Sequence, residues 1–522
     1  MKIDFHCKSV MPFLLSLAFF YIFEYYCFMH FPDNIEKMKL FFVGIKGTGM
    51  AALAEICTFR GAKVTGSDVE DKFYTDEVLK SLGITPVVFN KENITDDIDL
   101  VIHSAAYGAD SHPELIEAQK RGIPLKLYAQ ALGDISQASY SCAISGVHGK
   151  TSTTGIAGTL VKAFNLPAQV LAGSVISSFA NSQDTASCTL NLGNQFFLAE
   201  TCEYKRHFMC FSPKKIILTS VELDHQDYFP TFEDIQRAFI DFADLLPEDG
   251  ELFYCADDKG ACDTVELIKK LDNDITCIPY GKNAVGDYRI TMGAVKDGKQ
   301  FFTIALFEKD FPEGFYLQVP GEHNVLNAVA AGALVLSLCD TITELSLKEK
   351  YLKLHIGFAE FKGSKRRAEI IANMKIDNKN LLVMDDYAHH PTALKTTLQG
   401  FRKFYPDYYI IADFMSHTYT RTHALLEEFA DSFADADEVI LHKIYASARE
   451  QYNGTVTGKS LYEHTIKNHS NVTYIEDFAE TTQFVMERMK KIHKNILFVT
   501  LGAGDNWQIG KLLVNNLETN ND

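Results

Sequence analysis

Short apolar runs alternate with helical patterns along most of this chain, and this alternation limits the possible folds more than any other feature. From Lys39 onward the runs are rich in Val, Ile and Phe, as is typical of buried parallel strands connected by helices. We therefore predict an α/β fold with mainly parallel sheets. The predicted strands are Lys39–Val43, Leu100–His103, Ser141–Ser145, Lys215–Thr219, Leu381–Met384, Tyr408–Ala412, Glu438–His442 and Ile496–Leu501.

Two helices are also predicted from the spacing of apolar residues. Leu394, Leu398 and Phe401 recur at helical spacing after Pro391, and the nearly all-apolar stretch 325–338 is typical of a buried helix. In open α/β sheets, ligands bind beyond the carboxyl ends of the strands. Polar residues that directly follow the predicted strands are therefore candidates for function.

Length and charge exclude several classes of protein. The 522 residues suggest three or four domains. With 50 Lys and Arg against 68 Asp and Glu, the formal charge of -18 disfavours nucleic acid and anionic membrane surfaces as partners. The 11 cysteines show no CxxC spacing, so we interpret them as reduced thiols of a cytoplasmic protein. We expect no nucleic-acid partner, and either a monomer or a dimer.

The stretch Val10–Met29 is apolar except for Glu24 and its tyrosines. It could be a signal or a membrane anchor, although no small-residue cleavage site follows and a carboxylate interrupts it. The alternative that we favour is that translation begins later, at Met29 or Met38, just before the first predicted strand. No stable membrane insertion is then expected.

The strongest local signal is a glycine-rich turn between a predicted strand and a helix-compatible stretch. Its backbone N–H groups can face phosphate oxygens, a lysine can add positive charge, and a threonine hydroxyl can bind magnesium. The alternative is an ordinary glycine turn. The residues assigned to nucleotide phosphate binding are Gly146, His148, Gly149, Lys150, Thr151 and Ser152.

Acidic residues follow two other apolar runs. Glu200 ends one apolar run, and the string Glu222–Asp227, which includes His225, follows another. Magnesium prefers hard oxygen ligands and keeps several waters, so Glu200 and Thr151 suit it, with His225 as a further candidate ligand. Alternatively, His225 is structural and the acidic residues lie in solvated turns.

A second glycine turn, Gly44-x-x-Gly47-x-Gly49, follows the first predicted strand. Asp68 lies about twenty residues further on, where an acidic residue can accept a hydrogen bond from a ribose or a base. Taken alone, this pattern would equally suggest an oxidoreductase that binds NAD.

Taken together and in this order, these motifs resemble the Mur ligase family from Lys39 to about Val514. The resemblance implies a Rossmann-like domain for a UDP-sugar at 39–138, a P-loop ATPase domain with a mainly parallel sheet at 139–366, and a Rossmann-like α/β domain for an amino acid at 367–522. Residues 1–38 are then an extension. The matching strings are Gly44–Met50, Gly66–Asp68, Gly146–Thr154, Ala199–Glu200, Glu222–Asp227, Pro320–Asn327, Arg366–Arg367 and Asp385–Pro391.

The same resemblance implies roles for individual residues, with ATP and Mg²⁺ as the bound cofactors. For ATP it adds His323, Asn324, Asn327, Arg367 and Asp386 to the phosphate turn, and for magnesium it implies Thr151, Glu200 and His225. For the UDP-sugar it implies Gly44, Gly47, Thr48, Gly49, Asp68 and Ser104. For the amino-acid side it implies Tyr387, His389, His390, His417 and Arg421, and the catalytic residues would be Lys150, Glu200, His225 and His389.

Within the family, the strings His417–Thr422 and Gly502–Asp505 are similar to the branch that joins L-alanine to the lactyl carboxylate of UDP-N-acetylmuramate in peptidoglycan precursor synthesis. The string Lys362–Arg367 is also similar to a sister branch that attaches a whole tripeptide, and this is the main alternative. Alternatives of another class are a nucleotide-dependent oxidoreductase and a membrane-anchored nucleotide binder. Ser220 and Thr201–Glu203 depart from the family pattern beside the metal ligands.

Overall fold

The computed structural model describes residues 35–73, 75–179, 187–226, 228–271, 274–376, 378–446 and 454–519. The apolar stretch Val10–Met29 and Asp227 therefore lie outside the described residues. The chain divides into two compact units. The amino-terminal unit comprises the described residues up to Ser139 together with Cys210–Ser212, and the larger unit comprises the rest.

The amino-terminal unit contains a five-stranded parallel sheet in the order β3-β2-β1-β4-β5. The strand order reverses at β1, and the first glycine turn follows β1 there, which is where nucleotides bind in folds of this type. A short 3₁₀ helix spans Lys91–Asn93. The elements are β1 Lys39–Val43, α1 Thr48–Phe59, β2 Lys63–Asp68, α2 Thr75–Ser81, β3 Val87–Val88, β4 Leu100–His103, α3 Pro113–Lys120, β5 Leu125–Leu127 and α4 Tyr128–Gln137.

The larger unit begins with a seven-stranded sheet in the order β12-β11-β10-β6-β9-β7-β8, in which only the edge pair β7–β8 is antiparallel. Because β6 lies between β9 and β10, the segments that follow these three strands meet at one edge. The elements are β6 Tyr140–Ser145, α5 Lys150–Phe164, β7 Ala168–Ile176, β8 Ser187–Asn191, β9 Phe196–Glu200, β10 Lys215–Leu218, α6 Phe232–Ala243, β11 Glu251–Cys255, α7 Lys259–Ile268 and β12 Thr276–Tyr280, with 3₁₀ helices at Ser177–Phe179 and Tyr204–Cys210.

A small antiparallel sheet and two long helices follow. The small sheet, β13 to β15, was not predicted from the sequence. The elements are β13 Ile290–Lys296, β14 Lys299–Ile304, α8 Ala305–Glu308, β15 Phe315–Leu317, α9 Glu322–Asp340 and α10 Leu347–Glu360. Among the described residues, α9 alone has the length and hydropathy of a membrane span, and 78% of that window is buried inside the protein. Its apolar side chains therefore form part of the core.

The carboxyl-terminal part of the larger unit is a six-stranded sheet in the order β16-β17-β21-β18-β19-β20, parallel except for the edge strand β16. The elements are β16 Glu369–Ile376, β17 Lys379–Asp386, α11 Pro391–Phe404, β18 Tyr408–Phe414, α12 Tyr419–Ala424, α13 Leu426–Ala430, β19 Glu438–Leu441, α14 Gly458–Asn468, β20 Val472–Tyr474, α15 Phe478–Lys491, β21 Asn495–Leu501 and α16 Trp507–Thr519.

The predicted α/β class with mainly parallel sheets is confirmed. Each predicted strand is present, with ends that differ from the prediction by no more than two residues. The helix predicted after Pro391 is α11, and the predicted buried helix at 325–338 lies within α9. The domain limits at 138 and 366 stay a prediction.

Candidate active site

The glycine turn between β6 and α5 has the geometry of a phosphate-binding loop. Gly146 and Gly149 have positive φ angles of 127° and 83°, which favour glycine. A Cβ at Gly146 would lie 2.1 Å from Thr219 Oγ1, and one at Gly149 would lie 2.6 Å from Asn327 Oδ1. The loop therefore requires glycine for both conformation and space, and it leads directly into the N-terminus of α5, which attracts anions.

Lys150, the first residue of α5, is held by the loop and by an acidic side chain. Its Nζ donates to the carbonyl of Gly146 and, at 2.9 Å, to Glu203 Oε2. Burial alone would lower the pKa of Lys150, but the Glu203 carboxylate raises it overall, so the ammonium stays charged. Glu203 was assigned no role from the sequence, although its place just beyond a strand that ends in Glu200 was an available signal.

Thr151 and Glu200 lie together as expected for a shared metal ion. Thr151 Oγ1 donates to Glu200 Oε2 at 2.8 Å. Burial raises the pKa of Glu200, so a cation beside it would stabilise the ionised carboxylate. A Cβ at Gly173 would lie only 1.5 Å from Glu200 Oε1, so the bare backbone of β7 makes room for the carboxylate. A hydroxyl and a carboxylate are hard donors that suit Mg²⁺.

His225, the third expected metal ligand, contacts other acidic groups. Its Nε2 lies 3.5 Å from Glu203 Oε1 and 4.0 Å from Asp224 Oδ2, and its ring packs on Tyr204 at 4.9 Å between centroids. Burial alone would raise the pKa of Glu203, but Lys150 and His225 lower it. Glu203 therefore joins Lys150 to His225 in one charged network.

A cavity of about 240 Å³ extends along the phosphate loop. His323 lines it, and its buried Nδ1 has no hydrogen-bond partner among the residues that the structure describes. Burial, followed by the charge of Arg367, lowers the pKa of His323 to about 4, so its ring is neutral. A nucleotide base could engage this unpartnered atom. Other residues expected to bind ATP that line the cavity are His148, Gly149, Ser152, Asn324, Asn327, Arg367 and Asp386.

The two adjacent arginines differ in position. Arg366 Nε donates to Asp385 Oδ2 at 2.8 Å, which holds its guanidinium at the carboxyl end of β17. Arg367 lines the cavity and lies 5.0 Å from the centre of the Tyr387 ring. Asp386, also in the cavity wall, accepts hydrogen bonds from two backbone N–H groups, and burial raises its pKa. Arg367 is therefore better placed than Arg366 to meet a phosphate.

Four of the five residues expected on the amino-acid side lie near one another. The rings of Tyr387 and His389 are 4.8 Å apart, and those of His389 and His417 are 6.3 Å apart. Arg421 Nη1 lies 3.5 Å from His417 Nδ1, while its Nη2 donates to Asp224 Oδ1 at 2.7 Å. In this structure the Arg421 guanidinium, expected to meet a substrate carboxylate, therefore pairs with a protein carboxylate.

Burial and these contacts shift the pKa values of Asp224 and His389. Burial alone would raise the pKa of Asp224, but Arg421 and His225 hold it well below its usual range. Burial, followed by the charge of Arg421, lowers the pKa of His389 well below its usual value. His389 is therefore neutral, the form in which a histidine can accept a proton.

His390, the fifth of these residues, lies beside the phosphate loop. Its ring is 5.2 Å from that of His148 in the phosphate loop, and its Nδ1 is 3.9 Å from Glu222 Oε1. The structure thus gives His389 and His390 different neighbours, and the assignment of His390 to the amino-acid side stays a prediction. His390 has an extended backbone, and successive side chains of an extended chain point in opposite directions.

In the amino-terminal unit, the first glycine turn is braced by the residue expected to contact the nucleotide. Asp68 Oδ2 accepts from the backbone N–H of Lys46 at 2.6 Å, and its Oδ1 accepts from that of Val69 at 2.8 Å. Gly44 has a positive φ of 83°, and a Cβ there would lie 2.6 Å from the Tyr107 ring. Asp68 therefore fixes the turn, and Gly44 gives it the necessary space.

The remaining residues of this turn lie where α1 begins. Thr48 is the first residue of α1, Gly47 precedes it, and a Cβ at Gly49 would lie 2.9 Å from the Tyr128 ring. Ser104 follows β4, and its Oγ accepts from the backbone N–H of Ala106 at 3.3 Å. The strand order brings both segments to the carboxyl edge of the sheet.

Comparisons with known proteins agree with the order of these motifs. Family models match residues 39–140 (Mur ligase family, catalytic domain), 144–335 (Mur ligase middle domain) and 366–504 (Mur ligase, glutamate ligase domain). A UDP-N-acetylmuramate--L-alanine ligase of Treponema pallidum is 48% identical over 493 residues, which cover 93% of this chain and 98% of the relative. The chain belongs to the Mur ligase family. As a member of this family, it is an ATP-dependent amide ligase.

Other relatives extend the comparison. A UDP-N-acetylmuramate--L-alanine ligase of Desulfitobacterium hafniense is 36% identical and covers 91% of this chain and 99% of its own length. The fold resembles the UDP-N-acetylmuramate-alanine ligase of Thermotoga maritima, with a TM-score of 0.70, 24% identity, and 92% and 100% of the two chains covered. A murein peptide ligase of Psychrobacter arcticus has a TM-score of 0.60 at 21% identity, with 92% and 98% covered. Mur ligase membership leaves the oxidoreductase alternative without support.

Proposed function

We propose that this Mur ligase joins L-alanine to the lactyl carboxylate of UDP-N-acetylmuramate with conversion of ATP to ADP and phosphate. The observation that carries this proposal is the 48% identity, over nearly the whole length, to a relative named for that reaction. The geometry of the larger unit supports it, because the phosphate loop and residues of the carboxyl-terminal part line a common cavity. A cytoplasmic location is part of the proposal.

The reaction needs activation because a free carboxylate is a poor acyl donor. In the proposed sequence, the lactyl carboxylate attacks the γ-phosphorus of ATP, ADP leaves, and an acyl phosphate forms. The amine of L-alanine then attacks the acyl carbon, and phosphate leaves as the amide bond forms. Lys150 stabilises the negative charge that collects on the transferred phosphoryl group.

Thr151 and Glu200 are the residues that would hold Mg²⁺, with His225 as a further candidate. Magnesium supplies charge neutralisation at the phosphate oxygens when bound. The charged network of Lys150, Glu203 and His225 lies beside Thr151 and Glu200. Within it, the Glu203 carboxylate holds the Lys150 ammonium at the phosphate loop.

His389 and Arg421 are proposed to receive the amino acid. The neutral ring of His389 can take a proton from the incoming amine. Arg421 can bind the amino-acid carboxylate through its planar fork, which requires it to share or leave Asp224. The glycine turn of the amino-terminal unit is proposed to hold the UDP part, with Gly44, Gly47, Thr48, Gly49 and Ser104 near the diphosphate and Asp68 bracing the turn.

Phosphate release tests this proposal. The protein is supplied with ATP, Mg²⁺ and UDP-N-acetylmuramate, and then with either L-alanine or the tripeptide of the sister branch. Release that requires both the sugar nucleotide and L-alanine is expected. Faster release with the tripeptide would move the protein to the sister branch that attaches a whole tripeptide, and no release with either would contradict the ligase assignment.

A substitution at Gly173 tests the metal site without removing a metal ligand. An alanine methyl group would occupy the space of Glu200 Oε1 and displace the carboxylate, so we expect Gly173→Ala to weaken the Mg²⁺ response of turnover roughly 10- to 100-fold. The measurement is turnover as a function of Mg²⁺ concentration. Ser174→Thr, which keeps the hydroxyl that donates to the carbonyl of Lys365, is the matched control on the same strand, and an equal loss in both variants would contradict the proposed site.

A further inference from the structure

Three side chains from separate segments converge beside the phosphate loop. His148 belongs to the loop, Glu222 follows β10, and His390 immediately precedes α11. Within the part of the chain that the structure describes, their donor atoms all lie within 4.8 Å of one another. His148 Nε2 is 3.0 Å from Glu222 Oε2, and His390 Nδ1 is 3.9 Å from Glu222 Oε1.

His390 has an unused donor atom that points into this group. Its side chain is only 5% exposed, and its Nδ1 has no hydrogen-bond partner among the described residues. A buried polar atom without a partner has a free-energy cost, so it usually marks a bound water, an ion or a functional contact. The side chains of His148 and Glu222 are 25% and 35% exposed, which leaves a route from solvent.

The donor set matches a transition metal better than magnesium. Two imidazoles and one carboxylate are the ligands of many zinc sites that keep a fourth position for water. A tetrahedral ion with bonds of about 2.1 Å needs donor atoms about 3.4 Å apart. The 3.0 and 3.9 Å separations, which run to the two different oxygens of Glu222, lie on either side of that value, and all three donor atoms lie within 4.8 Å of one another. Magnesium prefers an octahedron of oxygen ligands.

Neighbouring groups hold two of the three candidate ligands. Thr392 Oγ1 donates to Glu222 Oε1 at 2.7 Å, and the backbone N–H of His148 donates to Ser220 Oγ at 2.9 Å. Such outer contacts orient metal ligands and strengthen binding. Glu222 and the backbone of His148 are thus held in place before any ion arrives.

We propose that His148, Glu222 and His390 form a binding site for a divalent transition metal of the Zn²⁺ class. This site is separate from the Mg²⁺ site proposed at Thr151 and Glu200, and it does not depend on the proposed reaction. An ion bound there joins the phosphate loop to the start of α11 and fixes His148 in the wall of the cavity.

Co²⁺ is the probe that tests this site. When Co²⁺ takes the place of zinc with few ligands, it gives intense visible absorption bands, whereas hydrated octahedral Co²⁺ gives weak ones. Titration of the full chain with Co²⁺, without ATP, is expected to produce the intense bands, which added Zn²⁺ should abolish. Glu222→Gln and His390→Gln should each lose them, while Glu200→Gln should retain them.

Thr392→Val provides a milder variant should the ligand variants fail to fold. Valine has a similar shape but cannot donate to Glu222, so Co²⁺ affinity should fall about 10- to 100-fold. Thr396→Val, one turn further along α11, is the matched control and should bind as the wild type does. Intense bands that persist in Glu222→Gln and His390→Gln, unchanged affinity in Thr392→Val, or weak bands in the wild type would each overturn the proposal.

Discussion

Lys150→Met is expected to reduce turnover by about 10²- to 10³-fold, because it removes the fixed positive charge that meets the transferred phosphoryl group. Lys150 Nζ donates to the carbonyl of Gly146 and to Glu203 Oε2, so the variant loses the ammonium group at the phosphate loop. The measurement is the steady-state rate of phosphate release with saturating ATP, UDP-N-acetylmuramate and L-alanine. The loss should appear mainly in kcat, since the charge acts on the transition state.

Lys162→Met is the matched control for this prediction. Lys162 lies in the last turn of the same helix, where its Nζ donates to the carbonyl of Ser178 at 3.0 Å, away from the phosphate loop. We expect near wild-type turnover from it. A Lys150→Met variant that stays folded and retains turnover within tenfold of the wild type would contradict the role assigned to the loop.

The second large effect is expected on stability, from His442→Ala. His442 is fully buried, with Nε2 2.7 Å from Asp413 Oδ2 and Nδ1 2.6 Å from the carbonyl of Ile475. Both partners are acceptors, so the ring satisfies both only when it is doubly protonated. Breaking a buried ion pair by removing one partner costs about 3–5 kcal/mol, and we expect a loss of this size in the local free energy of unfolding.

The pH dependence of this effect has a definite sign. Burial alone would lower the pKa of His442, but Asp413 raises it above its usual value. The stabilising contribution is therefore fully present below the unfolded-state pKa of about 6.5 and is lost as the pH rises through the raised folded-state pKa. Hydrogen exchange of the amides in β18 and β19 measures it, and the difference between wild type and variant should shrink at alkaline pH.

His464→Ala is the matched control for the stability prediction. His464 Nδ1 also pairs with a carboxylate, Glu427, at 2.8 Å, but that carboxylate is 70% exposed. Surface pairs of this kind contribute about 0–1 kcal/mol, so little change is expected. Equal effects from His442→Ala and His464→Ala would show that the buried pair has no special importance.

Local patterns in the sequence predicted the strands well, because each strand is a buried apolar run with polar residues at its end. The antiparallel sheet β13–β15 was not predicted. Several residues of β13 are exposed, and its register shifts between Met292 and Val295, so neither a continuous apolar run nor a regular alternation appears in the sequence. Strand order depends on contacts between distant segments, which a single sequence does not reveal.

In the candidate active site, too, local patterns could be predicted from the sequence, whereas contacts between distant segments could not. The phosphate loop could be predicted, because Gly146, Gly149, Lys150 and Thr151 lie within six consecutive residues. Gly173 could not be assigned, because its role arises only when β7 pairs with β9. Glu203 could have been noticed from its place just after Glu200, but its contact with Lys150 arises only when β6 and β9 pair side by side. The resemblance placed His390 with His389 on the amino-acid side, whereas its neighbours in the structure include His148 and Glu222, which are distant in sequence.

The most direct test of the central claim, that a carboxylate is activated by phosphorylation, follows the carboxylate oxygens. UDP-N-acetylmuramate with a heavy oxygen isotope in both lactyl carboxylate positions is incubated with the enzyme, ATP, Mg²⁺ and L-alanine, and the phosphate is analysed by mass spectrometry. An acyl phosphate transfers one carboxylate oxygen to phosphate when the amine displaces it, so each released phosphate should contain one heavy oxygen. Unlabelled phosphate released together with amide product would contradict the mechanism.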